Sequence, residues 1–101
     1  AHLEAKLEVN GAAKTARLTL EGAATFIRLP VLAAELERVP PDCELHVDFE
    51  QLHQIDHACL DLLMNWAKQH EGTGGSLVID WETLQTEIMR GKNQAKTVAA
   101  S

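Results

Sequence analysis

The sequence predicts a small α/β domain: a mixed β-sheet with an N-terminal antiparallel hairpin, then parallel β-α-β units, with helices mainly on one face. Two observations carry that prediction. Stretches in which apolar and polar residues alternate are interleaved with stretches in which apolar residues recur at helical spacing, in the order β-β-α-β-α-β-α. Every strand-like stretch alternates, whereas strands covered on both faces read as continuous apolar runs, so one face of this sheet is expected to stay polar.

Residues 2–10 set Leu3, Ala5, Leu7 and Val9 against His2, Glu4, Lys6 and Glu8. Asn10-Gly11 supplies turn chemistry, because both residue types tolerate positive φ. Alternation resumes after Gly11–Lys14 with Ala16, Leu18 and Leu20, and Gly22 is expected to break the second strand. Phe26, Ile27 and Leu29 lead into a helix with Pro30 in its first turn, where a missing N–H costs nothing. Its stripe is Leu32, Leu36 and Val39, and Pro40-Pro41 ends it. Cys43, Leu45, Val47 and Phe49 share one parity of a third strand, which passes through a joint at Gln54-Ile55-Asp56-His57 into a helix over Ala58–His70. Asp56 is placed as the N-cap, and Cys59, Leu62, Leu63 and Trp66 form the apolar face.

Gly72-Thr73-Gly74-Gly75 stops that helix. A last strand is expected over Ser76–Trp81, with Glu44, His46, Asp48 and Asp80 on the polar sheet face. A final amphipathic segment, Glu82 to Arg90, turns Leu84, Ile88 and Met89 inward and is capped by Gly91. Residues 1–91 therefore form one domain, and 92–101, which lack periodicity, form a frayed tail.

A chain of 101 residues holds one core, and 46% hydrophobic content is that of a globular domain. The formal charge of −6 and the two Trp, two Phe and no Tyr argue against nucleic acid and against direct lipid binding. No apolar run approaches the roughly 20 residues of a bilayer span, and no secretory signal is evident. Cys43 and Cys59 lack metal-type spacing and read as reduced core cysteines of a cytosolic protein. Ala1 is not a natural initiator, so the chain reads as mature, processed or cut from something longer.

Five His and several carboxylates raise the question of catalysis. His53 and His57 are separated by the joint and so do not form a helical i,i+4 ligand pair, and His46 reads as a solvated or hydrogen-bonded residue. Asp48 reads as satisfying strand-end amides, Asp56 as capping, and Cys59 as core. The glycine-rich Gly72–Gly75 follows a helix and precedes a strand, the reverse of a phosphate loop. No catalytic, metal or cofactor-binding residues are assigned. The joint keeps functional weight, because the helix after Asp56 exposes free N–H groups and its dipole's positive end.

The pattern resembles a STAS domain, the module shared by sulfate-permease (SulP) anion transporters and anti-sigma factor antagonists. The matching pieces are Leu18-Thr19-Leu20-Glu21-Gly22 with Phe26, Leu45-His46-Val47-Asp48-Phe49, Ile55-Asp56 with Leu60 and Leu63, and Gly75 before Leu77-Val78-Ile79. The family fold, a mixed sheet with helices on one face, agrees with the alternation. Antagonists carry a phosphorylated Ser or Thr after the joint aspartate. Here His57 holds that position, so the phospho-switch does not carry over. Ile55 to Leu63 is more similar to the transporter branch.

The resemblance thus implies a non-enzymatic cytoplasmic STAS domain of a SulP-type transporter, acting in assembly, dimerisation or regulation. Its expected interaction residues are Asp56, His57, Ala58 and Asp61. Its expected partners are the transporter's own transmembrane domain, a second copy, or a cytosolic regulatory protein. The alternatives are a stand-alone antagonist-like signalling protein and a nucleotide- or small-anion-binding regulatory module.

Overall fold

The computed structural model describes residues 2–86. Its elements are β1 (Leu3–Asn10), β2 (Thr15–Ala24), α1 (Leu29–Glu37), β3 (Glu44–Ile55), α2 (His57–Glu71) and β4 (Ser76–Ile79). A 3-10 turn over Phe26–Arg28 precedes α1, and a further helical segment covers 81–86. The helix end expected over 87–90, the Gly91 cap and the tail 92–101 lie outside the described residues.

The sheet order is β1-β2-β3-β4, with β1 antiparallel to β2 and the other pairs parallel. Alternation explains the layering. Leu18, Leu20, Leu45, Val47 and Phe49 are buried with Leu32 and Leu36 of α1 and Cys59 and Leu63 of α2 in one core. Glu44 and Arg17 are exposed and His46 half-buried on the opposite face. The mixed sheet with helices on one side is therefore the architecture observed.

Four local expectations change. First, Gly22 does not end β2, which runs on to Ala24. Gly22 sits at φ +102 beside the His2 carbonyl, where a Cβ would overlap it, and the Ala23 amide donates to that carbonyl at 2.8 Å. A left-handed glycine here makes a bulge rather than a break.

Second, the hairpin's positive φ falls on Lys14 (φ 56), not on Asn10 or Gly11. Asn10 acts through its side chain instead, accepting from the Ala13 amide at 3.1 Å.

Third, β3 is longer than expected and the joint shrinks to Asp56 alone. Register shifts against β2 between Thr19 and Glu21, and between Gly22 and Ala23, let β3 gain residues. The buried set accordingly jumps from odd Phe49 to even Leu52, and Asp48 Oδ1 accepts from the Glu50 amide at 2.9 Å at the first irregularity.

Fourth, β4 stops at Ile79. Asp80 belongs to a helix start rather than to β4, although it still borders the polar sheet face beside His46 and Asp48. Its carboxylate accepts from Thr83 N at 3.2 Å and Thr83 Oγ1 at 2.8 Å. These bonds lower the Asp80 pKa from the ordinary carboxylate value. Trp81 is then helical and exposed, while Leu84 packs into the core.

Candidate functional site

The parallel strands β2 and β3 end together, Ala24 pairing with Ile55, and α1 and α2 both begin at that end. Open α/β sheets place recognition beyond the carboxyl ends of their strands. Asp56 stands at the centre, extended at φ −102, ψ 171, as the N-cap of α2. Its Oδ1 accepts from the Cys59 amide at 3.1 Å, which satisfies one of the helix's free donors. Its Oδ2 accepts from the Phe26 amide at 2.7 Å, thirty residues back in the chain. Its own amide donates to Ala24 O at 3.0 Å. The carboxylate therefore caps one helix and fastens the approach to another.

Cys59 completes the fastening. Its thiol is fully buried and donates to Thr25 O at 3.4 Å. Burial first, then the Asp56 charge and hydrogen bond, push its pKa from 9.0 up to about 12. A thiol held neutral and inaccessible packs and does not attack. Beside it, Thr25 Oγ1 is buried without a hydrogen-bond partner.

The expected site residues divide. Asp56 is engaged internally, and Ala58 is half-buried. His57 and Asp61 are exposed one helical turn apart, so both face solvent near the N-terminus of α2. His53 lies at the exposed end of β3, before the joint. Two residues not singled out as site candidates join this surface. Phe26 is 65% and Ile27 63% exposed, in the turn that Asp56 holds. Helical spacing gave no sign of this exposure, because counting back from Leu36 through Leu32 and Leu29 in steps of four and three reaches Phe26 itself.

Two concavities open elsewhere, on the sheet face and the hairpin end. One is lined by Arg17, His46, Asp48, Glu50 and Asp80, the other by Glu8, Asn10, Thr15 and Arg17; neither touches α2. His46, which lines the first, meets Glu44 Oε2 through Nε2 at 2.7 Å. Among the described residues, no group of three or more His, Cys, Asp or Glu is placed to hold a metal ion. None of the helices there is long and apolar enough to cross a membrane.

The sequence matches the family model "Mlab, STAS domain" over residues 7–90. No match was found among curated proteins. Among solved structures, an antisigma-factor antagonist, a STAS domain from Rhodobacter sphaeroides, superposes with TM-score 0.61 at 13% identity, covering 76% of this chain and 84% of that one. Mglu superposes with TM-score 0.62 at 14% identity over 74% of this chain, which spans only 19% of Mglu. At such identities the two structures speak for the fold. The family model covers most of the sequence, and the chain belongs to the STAS-domain family.

Proposed function

We propose that this chain is a non-catalytic STAS module that regulates a partner by docking through the end of the sheet where α2 begins. The observation carrying this reading is the makeup of that end: His57 and Asp61 face solvent, Phe26 and Ile27 are exposed beside them, and Asp56 is engaged in backbone contacts. Such a surface suits contact with another macromolecule better than enclosure of a small substrate.

The finer reading is a cytoplasmic domain of a SulP-type anion transporter, supported by the stretch Ile55–Leu63. Its partner would be the transporter's own membrane part. Co-purification with that membrane part, weakened by Asp61→Arg or His57→Glu, tests it. Undiminished association with both variants would contradict the assignment of the surface.

A second reading is a stand-alone regulator like the antagonist from Rhodobacter sphaeroides, favoured because the shared fold covers 84% of that chain. With His57 in place of a hydroxyl residue, such a regulator would bind without a serine-phosphate switch. Incubation with an anti-sigma-type kinase and ATP is then expected to give complex formation without phosphate on residue 57.

A further inference from the structure

Phe26 and Ile27 lie between a core strand and a core helix, yet both side chains stand in water. The turn that carries them is not slack. Phe26 N donates to Asp56 Oδ2 at 2.7 Å, Arg28 N to Thr25 O at 2.8 Å, and Cys59 Sγ to the same Thr25 O at 3.4 Å. Adjacent large apolar side chains on a backbone fastened from both sides make an ordered projection, and binding through it carries little additional ordering entropy. Aromatic anchors of this kind dominate interface energetics when a partner pocket desolvates them.

The fastening needs both carboxylate oxygens, one on Cys59 N and the other on Phe26 N. Asparagine offers one oxygen and turns an NH2 group toward the other donor. It can cap α2 but cannot also hold Phe26.

We propose that Phe26 and Ile27 form an apolar docking hook for a separate protein chain, that Asp56 is its positioning residue, and that the partner presents an apolar pocket bordered by Lys or Arg. The proposal rests on the docking reading above and names the contact within it. Charge selects the occupant. The chain carries −6 overall, and on the same end Asp61 is exposed while Arg28, next to the hook, is half-buried. A second copy would bring like charge against like, and an anionic lipid surface would be repelled, whereas a basic border is attracted.

Benzoylphenylalanine replacing Phe26, Asp61 or Val78 in the full-length protein, photoactivated in the cells that make it, tests the proposal. Val78 is exposed on the opposite sheet face and serves as the control. Position 26 is expected to cross-link to one separate protein, identified by mass spectrometry, and position 78 is not. The purified partner should then bind the wild type about tenfold or more tightly than Phe26→Ser, with affinity falling as salt rises.

In Asp56→Asn the Phe26 amide should exchange faster while the Cys59 amide stays protected, and affinity should fall. A purely capping role would instead speed exchange along the start of α2 and leave affinity unchanged in folded protein. Cross-links from position 61 without any from 26 overturn the hook and leave the docking reading standing. No cross-links from either position overturn both. A self-cross-link or a lipid adduct at 26 overturns the choice of occupant.

Discussion

The two ends of the parallel strands are finished in opposite ways. Where β2, β3 and β4 begin, a dense set of polar contacts locks the loops. His70 is buried, stacks on Trp66 at 4.4 Å and donates from Nε2 to Cys43 O at 2.6 Å. The Ser76 amide donates to that same carbonyl at 3.0 Å. Thr73 Oγ1 donates to His70 O at 2.6 Å and accepts from the Asp42 amide at 3.0 Å. Lys14 meets Asp42 at 3.0 Å, an exposed pair whose own contribution is small.

At the strands' other end one aspartate does most of the fastening, a threonine hydroxyl is left unpaired, and two large apolar side chains stand in solvent. Buried polar groups in native folds are ordinarily satisfied, and exposed apolar residues are ordinarily scattered. The first end obeys both rules and reads as structure. The second departs from both, and departures of that kind concentrate at functional surfaces.

Substitutions at the two ends should therefore differ in kind. The largest effect is expected at the locked end. A Cβ on Gly75 would collide with the His70 ring and come within 2.7 Å of Cys43 O. Gly75→Ala should cost about 2–4 kcal/mol in denaturant unfolding.

The thiols come next. Cys59 has a folded pKa raised from 9.0 to about 12, and burial, with the Asp42 charge second, raises that of Cys43 as well. A raised folded pKa gives stability that is full below the unfolded value and is lost as pH rises through the folded one. Unfolding free energy should therefore decline from pH 9.0 toward about 12, and Cys59→Ala should flatten that decline. Absence of any alkaline loss would mean the thiol is not held as described.

Asp56→Ala removes a cap and the Phe26 contact together, and should cost about 1–3 kcal/mol in the same unfolding experiment. Thr25→Val replaces the unpaired hydroxyl with a methyl of similar shape, and should stabilise the fold by about 0.5–1.5 kcal/mol. A destabilised valine variant would indicate that the hydroxyl has a partner after all.

The fold was legible because it depends on local periodicity. Leu18 and Leu20, Leu45 to Phe49, and Leu32 with Leu36 announce their buried faces without reference to one another. Asp56 as a cap was legible for the same reason, lying three residues before the amide it serves. Its second contact, to Phe26, joins residues far apart in sequence and leaves no local trace. His70 was hidden likewise, because its partners Cys43 and Gly75 arrive from other elements. The β3 irregularities could have been read from the parity change between Phe49 and Leu52, but a single alternation template stops at the first break. The exposure of Phe26 and Ile27 left no local trace, because two apolar residues leading into a helix are equally compatible with burial in its core.

The double variant Phe26→Ser with Ile27→Ser tests the division between the two ends most directly, by measuring unfolding free energy and partner association on the same protein. With both side chains already in water, unfolding free energy should stay within about 0.5 kcal/mol of wild type while association is lost. A loss of more than about 1 kcal/mol with association intact would show that the pair serves the fold, and would contradict the assignment of this end to recognition.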